Sequence, residues 1–322
     1  MEMCGAMEAY KKSRTAKRAK TELSAGNDTL EAYKTLLYET KISSNANQAE
    51  RIAKKKQLHD AVKSLLPENL YHFRPVTTKS LDAFSHGRIY FNTPEKFNDP
   101  YDCLPYINME IVEGFCKSID INNEISLAQS MRDGTYRENI NQPLGIRTYL
   151  NGLAVFVSQM DGVEFQQRIK TLQAATQENI HAYLLNKSKG VRIGLVDAFK
   201  KDIHIACLSA NIYSMLMWSH YADSHKGFVL EYDPLKFFTY NNCKNCTEFE
   251  KCEYIHLIDI FPVLYENERY DITEYAVEAL HRQCFYSESE NVPFTVGDTL
   301  FTMKVLMQKN PVWAYEKEWR LR

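Results

Sequence analysis

Glu316-Lys317-Glu318, close to the C-terminus, is the residue set with the most chemical promise. The surrounding segment, Trp313 to Arg322, alternates like a β-strand, and on a strand residues i and i+2 share a face, so both carboxylates would project together. Paired carboxylates suit chemistry at a sugar carbon: one stabilises the positive charge that develops on the ring, and the other positions a nucleophile. The plainer alternative is a surface strand carrying two solvated glutamates. Met217-Trp218-Ser219-His220-Tyr221 with His225 is a second constellation. Two His five positions apart do not share a helical face, so the expected role is an acid/base or phosphate contact by His220, not a metal pair. The plainer alternative is an aromatic turn whose His meets a backbone carbonyl. Phe97-Asn98-Asp99-Pro100 is a tight turn in which Asn98 and Asp99 could shape a pocket rim.

Cys243, Cys246, Cys252 and His256 follow a C-x2-C-x5-C-x3-H pattern. Three thiolates and one imidazole make a tetrahedral zinc set, with Cys284 as an alternative fourth ligand. Four protein ligands leave no open position, so such a zinc would be structural. With no second Cys-x2-Cys, reduced thiols compete with this reading, as does redox pairing. Lys11, Lys12, Arg14, Lys17, Arg18 and Lys20 form a basic run that could contact nucleic acid phosphates or a partner protein, or simply be a solvated face.

The elements that must position these residues are helices interspersed with short strands. Residues 1–66 read as a basic helical extension, with 13 Lys/Arg against 8 Asp/Glu over residues 1–64 and an apolar stripe at Leu30, Tyr33, Leu36, Leu37 and Ile42. Strands are expected at residues 71–75, 88–91, 203–208, 227–232 and 258–265, the last interrupted at Pro262. Helices are expected at residues 77–86, 111–119, 125–131, 163–185, 271–285 and 299–308, the last with Asp298 as N-cap. A turn or short helix rich in aromatics is expected at 213–222. Without regular βαβ alternation, this mixture argues for an α+β fold, a small mixed or antiparallel sheet flanked by helices. The expected organisation is the extension at 1–66 and an α+β domain at 67–322 with a Cys-rich insertion near 240–256.

The chain has 322 residues, 44% hydrophobic and 25% charged, with a formal charge of −2. That balance excludes a uniformly basic nucleic-acid binder, a collagen and a disulfide scaffold. No apolar run is long enough to span a membrane and the N-terminus has no apolar signal core, so a cytoplasmic location with reduced thiols is expected. Walker, Gly-x-Gly-x-x-Gly, His-Glu-x-x-His and Gly-x-Ser-x-Gly motifs are absent.

Four segments together resemble the bacterial family catalogued as domain of unknown function 2971. They are Leu70-Tyr-His-Phe-Arg74 with Ile89–Pro94 and Phe97–Pro100; Cys207–Ser209 with Met217–Tyr221, His225–Gly227 and Glu231–Asp233; Pro262–Tyr265; and Lys304 through Trp313 to Tyr315–Arg320. The resemblance covers roughly residues 68 to 322 and carries no established reaction. More weakly, the order Arg74, Ser209, Glu316/Glu318 resembles ADP-ribosyltransferases that use Glu-x-Glu. That resemblance implies NAD as cofactor, Arg74 on its phosphates, Ser209 ordering the nicotinamide ribose, and Glu318 at the oxocarbenium-like transition state. Tyr71 or Phe73 would stack on nicotinamide, with His72, Asn98, Asp99, Trp218 and Tyr221 completing the cofactor site.

Three functions follow as expectations. The first is NAD-dependent ADP-ribosyl transfer to a protein or nucleic acid, or NAD hydrolysis, in the setting of a toxin or anti-phage effector. The second is a non-catalytic module that senses a nucleotide or binds a partner. The third is a metal-dependent nuclease built from Asp99, Glu231, Asp233 and His220.

Overall fold

The apolar stripe of the polar N-terminal segment is buried by the same core that supports the strands. In the computed structural model, which describes residues 28–141, 144–235, 260–283 and 297–322, this segment forms α1 (Asp28–Glu39) and α2 (Gln48–Leu65). The Asn47 side chain caps α2 by accepting from the Glu50 amide. Tyr33, Leu37, Ile42, Leu58 and Val62 are buried in one cluster with Leu70, Phe261, Trp319 and Leu321. Burying each such aliphatic side chain is worth about 1.5–3 kcal/mol. The basic run Lys11–Lys20 and Cys243, Cys246, Cys252, His256 and Cys284 lie outside the described residues.

The strands are β1 (Leu70–Arg74), β2 (Ala206–Ser209), β3 (Phe228–Tyr232), β4 (Ile260–Pro262), β5 (Leu264–Tyr265), β6 (Gln308–Lys309) and β7 (Glu318–Leu321). Five form an antiparallel sheet in the order β3-β1-β2-β7-β4, and β5 pairs with β6 in parallel. The flanking helices are α3 (Thr78–Ser85), α4 (Met109–Ser118), α5 (Ile121–Arg132), α6 (Leu144–Gln159), α7 (Gly162–Ala174), α8 (Gln177–Lys201), α9 (Met215–Tyr221), α10 (Thr273–Gln283) and α11 (Phe301–Leu306). The fold is α+β. No helix among the described residues is long and apolar enough to cross a membrane.

Several local expectations change. Residues 88–91 form no strand: Pro94 opens a 3-10 turn (Pro94–Lys96), leaving room only for a single bridge between Asn92 and Ile205. The apolar pattern at 163–185 is two helices, because the Thr176 hydroxyl accepts from the Asn179 amide and starts α8 anew. The 299–308 helix is shorter and Asp298 is not its N-cap; its carboxylate accepts from the Ile42 and Leu300 amides, tying the loop before α11 to the end of α1. The alternating C-terminus is a strand only from Glu318. Pro311 starts a 3-10 helix (Pro311–Glu316), and Lys317, at φ 44°, reverses the chain into β7.

One feature of the sheet makes a site. β1 pairs with β3 over five residues and β2 with β7 over four, but β1 and β2 meet only at Tyr71–Ser209. Beyond that pair the two central strands diverge, and a cleft opens between them. One wall is held by α9 and the residue after it, where Met217 and Ala222 pack on Phe73 of β1. The chain then turns through Asp223, Ser224 and His225, all with positive φ, to bring Gly227 against β1. A Cβ at Gly227 would sit 2.2 Å from the Arg74 carbonyl oxygen, so only glycine permits that approach.

Candidate active site

Register in β2 and β7 sorts the side chains by face. Ala206 opposite Leu321 and Leu208 opposite Trp319 turn to the hydrophobic core. Cys207 opposite Arg320 and Ser209 opposite Glu318 turn the other way, together with Tyr71 opposite Ser209. That second face carries a closed charge network. Arg320 is fully buried; its Nη2 donates to both Asp102 oxygens at 2.7 and 2.8 Å, its Nε to Glu318 at 2.7 Å, and its Nη1 to the Leu306 carbonyl. Lys309, at the end of β6, donates to Glu316 at 2.6 Å and to the second Glu318 oxygen at 2.7 Å, with Asp102 at 3.5 Å. Tyr221 donates to the other Glu316 oxygen at 2.7 Å, and Asn98 donates to Tyr221 at 2.9 Å.

Glu316 and Glu318 therefore do stand together, but for a different reason than strand alternation. One ends a 3-10 helix, the other starts a strand, and the left-handed Lys317 between them folds both carboxylates onto Lys309. The backbone at this corner is pinned. Ser209 Oγ donates to the Glu316 carbonyl at 2.5 Å, and the Glu318 amide donates to the Tyr265 hydroxyl at 2.8 Å.

Three carboxylates share two cations, and the two glutamates divide the imbalance between them. Burial pushes the Glu318 carboxyl up, but Arg320 and Lys309 outweigh it and hold Glu318 well below the usual carboxylate range. Burial also pushes Glu316 up; Lys309 opposes this and the charge of Glu318 adds to it, leaving Glu316 above its ordinary value. Lys309 is held above its usual range by Glu318, Asp102 and Glu316 despite its burial. The buried thiols of Cys103 and Cys207 are pushed up, chiefly by burial, so neither is a thiolate.

The cleft between β1 and β2 is a cavity of about 400 Å³ with Glu316, Glu318 and Lys309 in its wall. That volume lies in the range of small-ligand pockets. Tyr71, His72 and Arg74 enter from β1, His220 and Tyr221 from α9, and Asn98 from the turn before Pro100. Burial, then the Arg74 charge, lowers the His72 imidazole to about 4, so that ring is neutral. Arg74 has no ion-pair partner among the described residues.

Three sequence candidates stand elsewhere. Ser209 is wholly buried behind the wall, where it fixes the Glu316 backbone. Asp99 lines a neighbouring cavity and accepts from the Tyr101 amide within its turn. Trp218 meets Phe73 edge-on at 5.2 Å and donates to the Ile212 carbonyl, which seats α9. Among the described residues, no three His, Cys, Asp or Glu side chains converge to hold a metal ion, and Asp99, Glu231, Asp233 and His220 form no such group. Sequence reasoning missed Asp102, Lys309 and Arg320. Arg320, two residues after Glu318, was open to the same alternation argument; Asp102 gave no signal.

No curated protein matches the chain. No solved structure matches it either. A family model does, across the segment that runs from α9 through β3, β4 and the Lys309–Glu316–Glu318 corner to the end of β7. Residues 217–321 match the family described as protein of unknown function (DUF2971).

Proposed function

We propose that the cleft binds NAD and that Glu316 and Glu318 cleave its nicotinamide–ribose bond, passing ADP-ribose to a macromolecular acceptor or to water. The observation that carries this reading is the pair of adjacent carboxylates with opposed proton affinities in the wall of a ligand-sized cleft. Environments that separate two carboxyl groups in this way divide acid/base and charge-stabilising roles between them. Glu318, permanently ionised, faces the positive charge that grows on the ribose carbon. The C–N bond breaks with its electron pair leaving on nicotinamide, which departs neutral. The acceptor oxygen or nitrogen then forms the new bond and gives its proton to Glu316. Tyr221 and Lys309 hold Glu316 in place for that transfer. Tyr71 and the neutral His72 supply flat surfaces at the cleft wall.

The test is nicotinamide release from NAD, with cell lysate as the acceptor source, quantified by mass spectrometry. Glu316→Gln should lower kcat by about a hundredfold or more, the usual worth of a positioned acid/base. The wild-type rate should rise with pH through one ionisation above the ordinary glutamate value of 4.5, and the variant should lose that limb. Release that is equal in wild type and variant removes Glu316 from the chemistry.

A second reading draws on one observation: both oxygens of Glu318 are taken by cations. A saturated carboxylate is at home in a non-catalytic nucleotide sensor. Saturable NAD binding without turnover, indifferent to Glu316→Gln, selects it.

A further inference from the structure

Three cations gather around Tyr90 where the cleft opens, and none has a carboxylate partner among the described residues. Arg74 and Lys96 line the cleft with Tyr90. Lys79, from α3, places its Nζ 3.5 Å from the Tyr90 ring centre. The Tyr90 phenol is drawn below its ordinary value, first by Lys79 beside it, then by the charges of Lys96 and Arg74. Several lysines elsewhere on the surface pair with neighbours: Lys34 with Glu31 and Glu266, Lys54 with Glu50, Lys201 with Asp197. Unmatched like charges held together repel one another, and an anion of matching charge relieves that repulsion.

We infer that Arg74, Lys79, Lys96 and the Tyr90 hydroxyl form a diphosphate-binding site at the cleft mouth. Arg74 offers a planar fork of donors and the two lysines mobile point charges, a combination suited to two linked phosphates. Lys79, Lys96 and Tyr90 are drawn from α3 and the segment that follows it. The site deepens the glycosidic reading by naming the part of the dinucleotide held farthest from the reacting carbon, and it rests on that reading only for the identity of the whole ligand.

The test uses the full chain and inorganic pyrophosphate. Pyrophosphate should bind more tightly than inorganic phosphate by calorimetry and weaken as salt is raised. Lys79→Ala/Lys96→Ala should weaken it at least tenfold; both side chains are exposed, so the fold is not at stake. On the unmodified protein, pyrophosphate should shield Lys79 and Lys96 from amine acetylation, while the exposed Lys170 on α7 reacts as before. Unshielded lysines, or equal binding by the double variant, overturn the site. ADP, with a terminal diphosphate, and ADP-ribose, with a bridging one, should both displace pyrophosphate, and the stronger competitor identifies the source; displacement by neither overturns the site. Nicotinamide release without shielding overturns this site and leaves the glycosidic reading standing; shielding without release does the reverse.

Discussion

Replacing Arg320 with Ala should destabilise the protein by about 3–5 kcal/mol, the cost of removing one partner from a buried ion pair. The reason is the company the guanidinium keeps. It is fully buried and satisfies both Asp102 oxygens, one Glu318 oxygen and the Leu306 carbonyl. Without it, three buried carboxylates face Lys309 alone. Urea denaturation should show the midpoint falling while the slope is kept. Adding Asp102→Asn to the variant should recover part of the loss, because one of the uncompensated charges is then gone, and a double-mutant cycle should report coupling well above 0.5 kcal/mol. Two losses that simply add would mean that Asp102 and Arg320 do not sense each other, against their 2.7 Å contact.

Lys309→Met should have the second-largest effect, and it falls on the chemistry. The ammonium lies between Glu316 and Glu318 and is the cation that keeps Glu316 from rising further. With it gone, Glu316 should hold its proton to higher pH. The alkaline-rising limb of nicotinamide release should move up by about one pH unit or more, since one unit is only about 1.4 kcal/mol of interaction between the protonation states. Stability follows the same electrostatics. Glu318, held low in the folded protein, contributes stability above its unfolded value, lost as pH falls through the folded one; Lys309→Met shrinks that contribution, most visibly at neutral pH. A pH limb unmoved in Lys309→Met would show that another group titrates.

How much of this was legible in the sequence depends on the distance over which each signal acts. β1, β3 and the helix at Thr78–Ser85 were readable because their residue patterns are local, each complete within eight residues. The α+β class followed from the same short-range signals. The C-terminal corner misled in detail, because alternation of Tyr315, Lys317 and Trp319 looks like a strand while Pro311 and a left-handed Lys317 make a 3-10 helix and a reversal. The two glutamates still come together, since Glu316 and Glu318 meet by either route. Lys309, Asp102 and Arg320 were invisible as a set: Asp102 lies 218 positions from Arg320, and only the tertiary fold brings them together. Ser209 was singled out as the residue that would order a nicotinamide ribose, but it is wholly buried and its hydroxyl is committed to the Glu316 backbone.

The most direct test of the cleft as a nucleotide-cleaving site is calorimetric titration of Glu316→Gln with NAD, a variant that should hold the dinucleotide without consuming it. Saturable binding is expected, weakened about tenfold or more when Arg74→Ala is added. Absence of any binding heat, in a variant whose thermal unfolding matches wild type, would contradict the reading of this cleft at its first step.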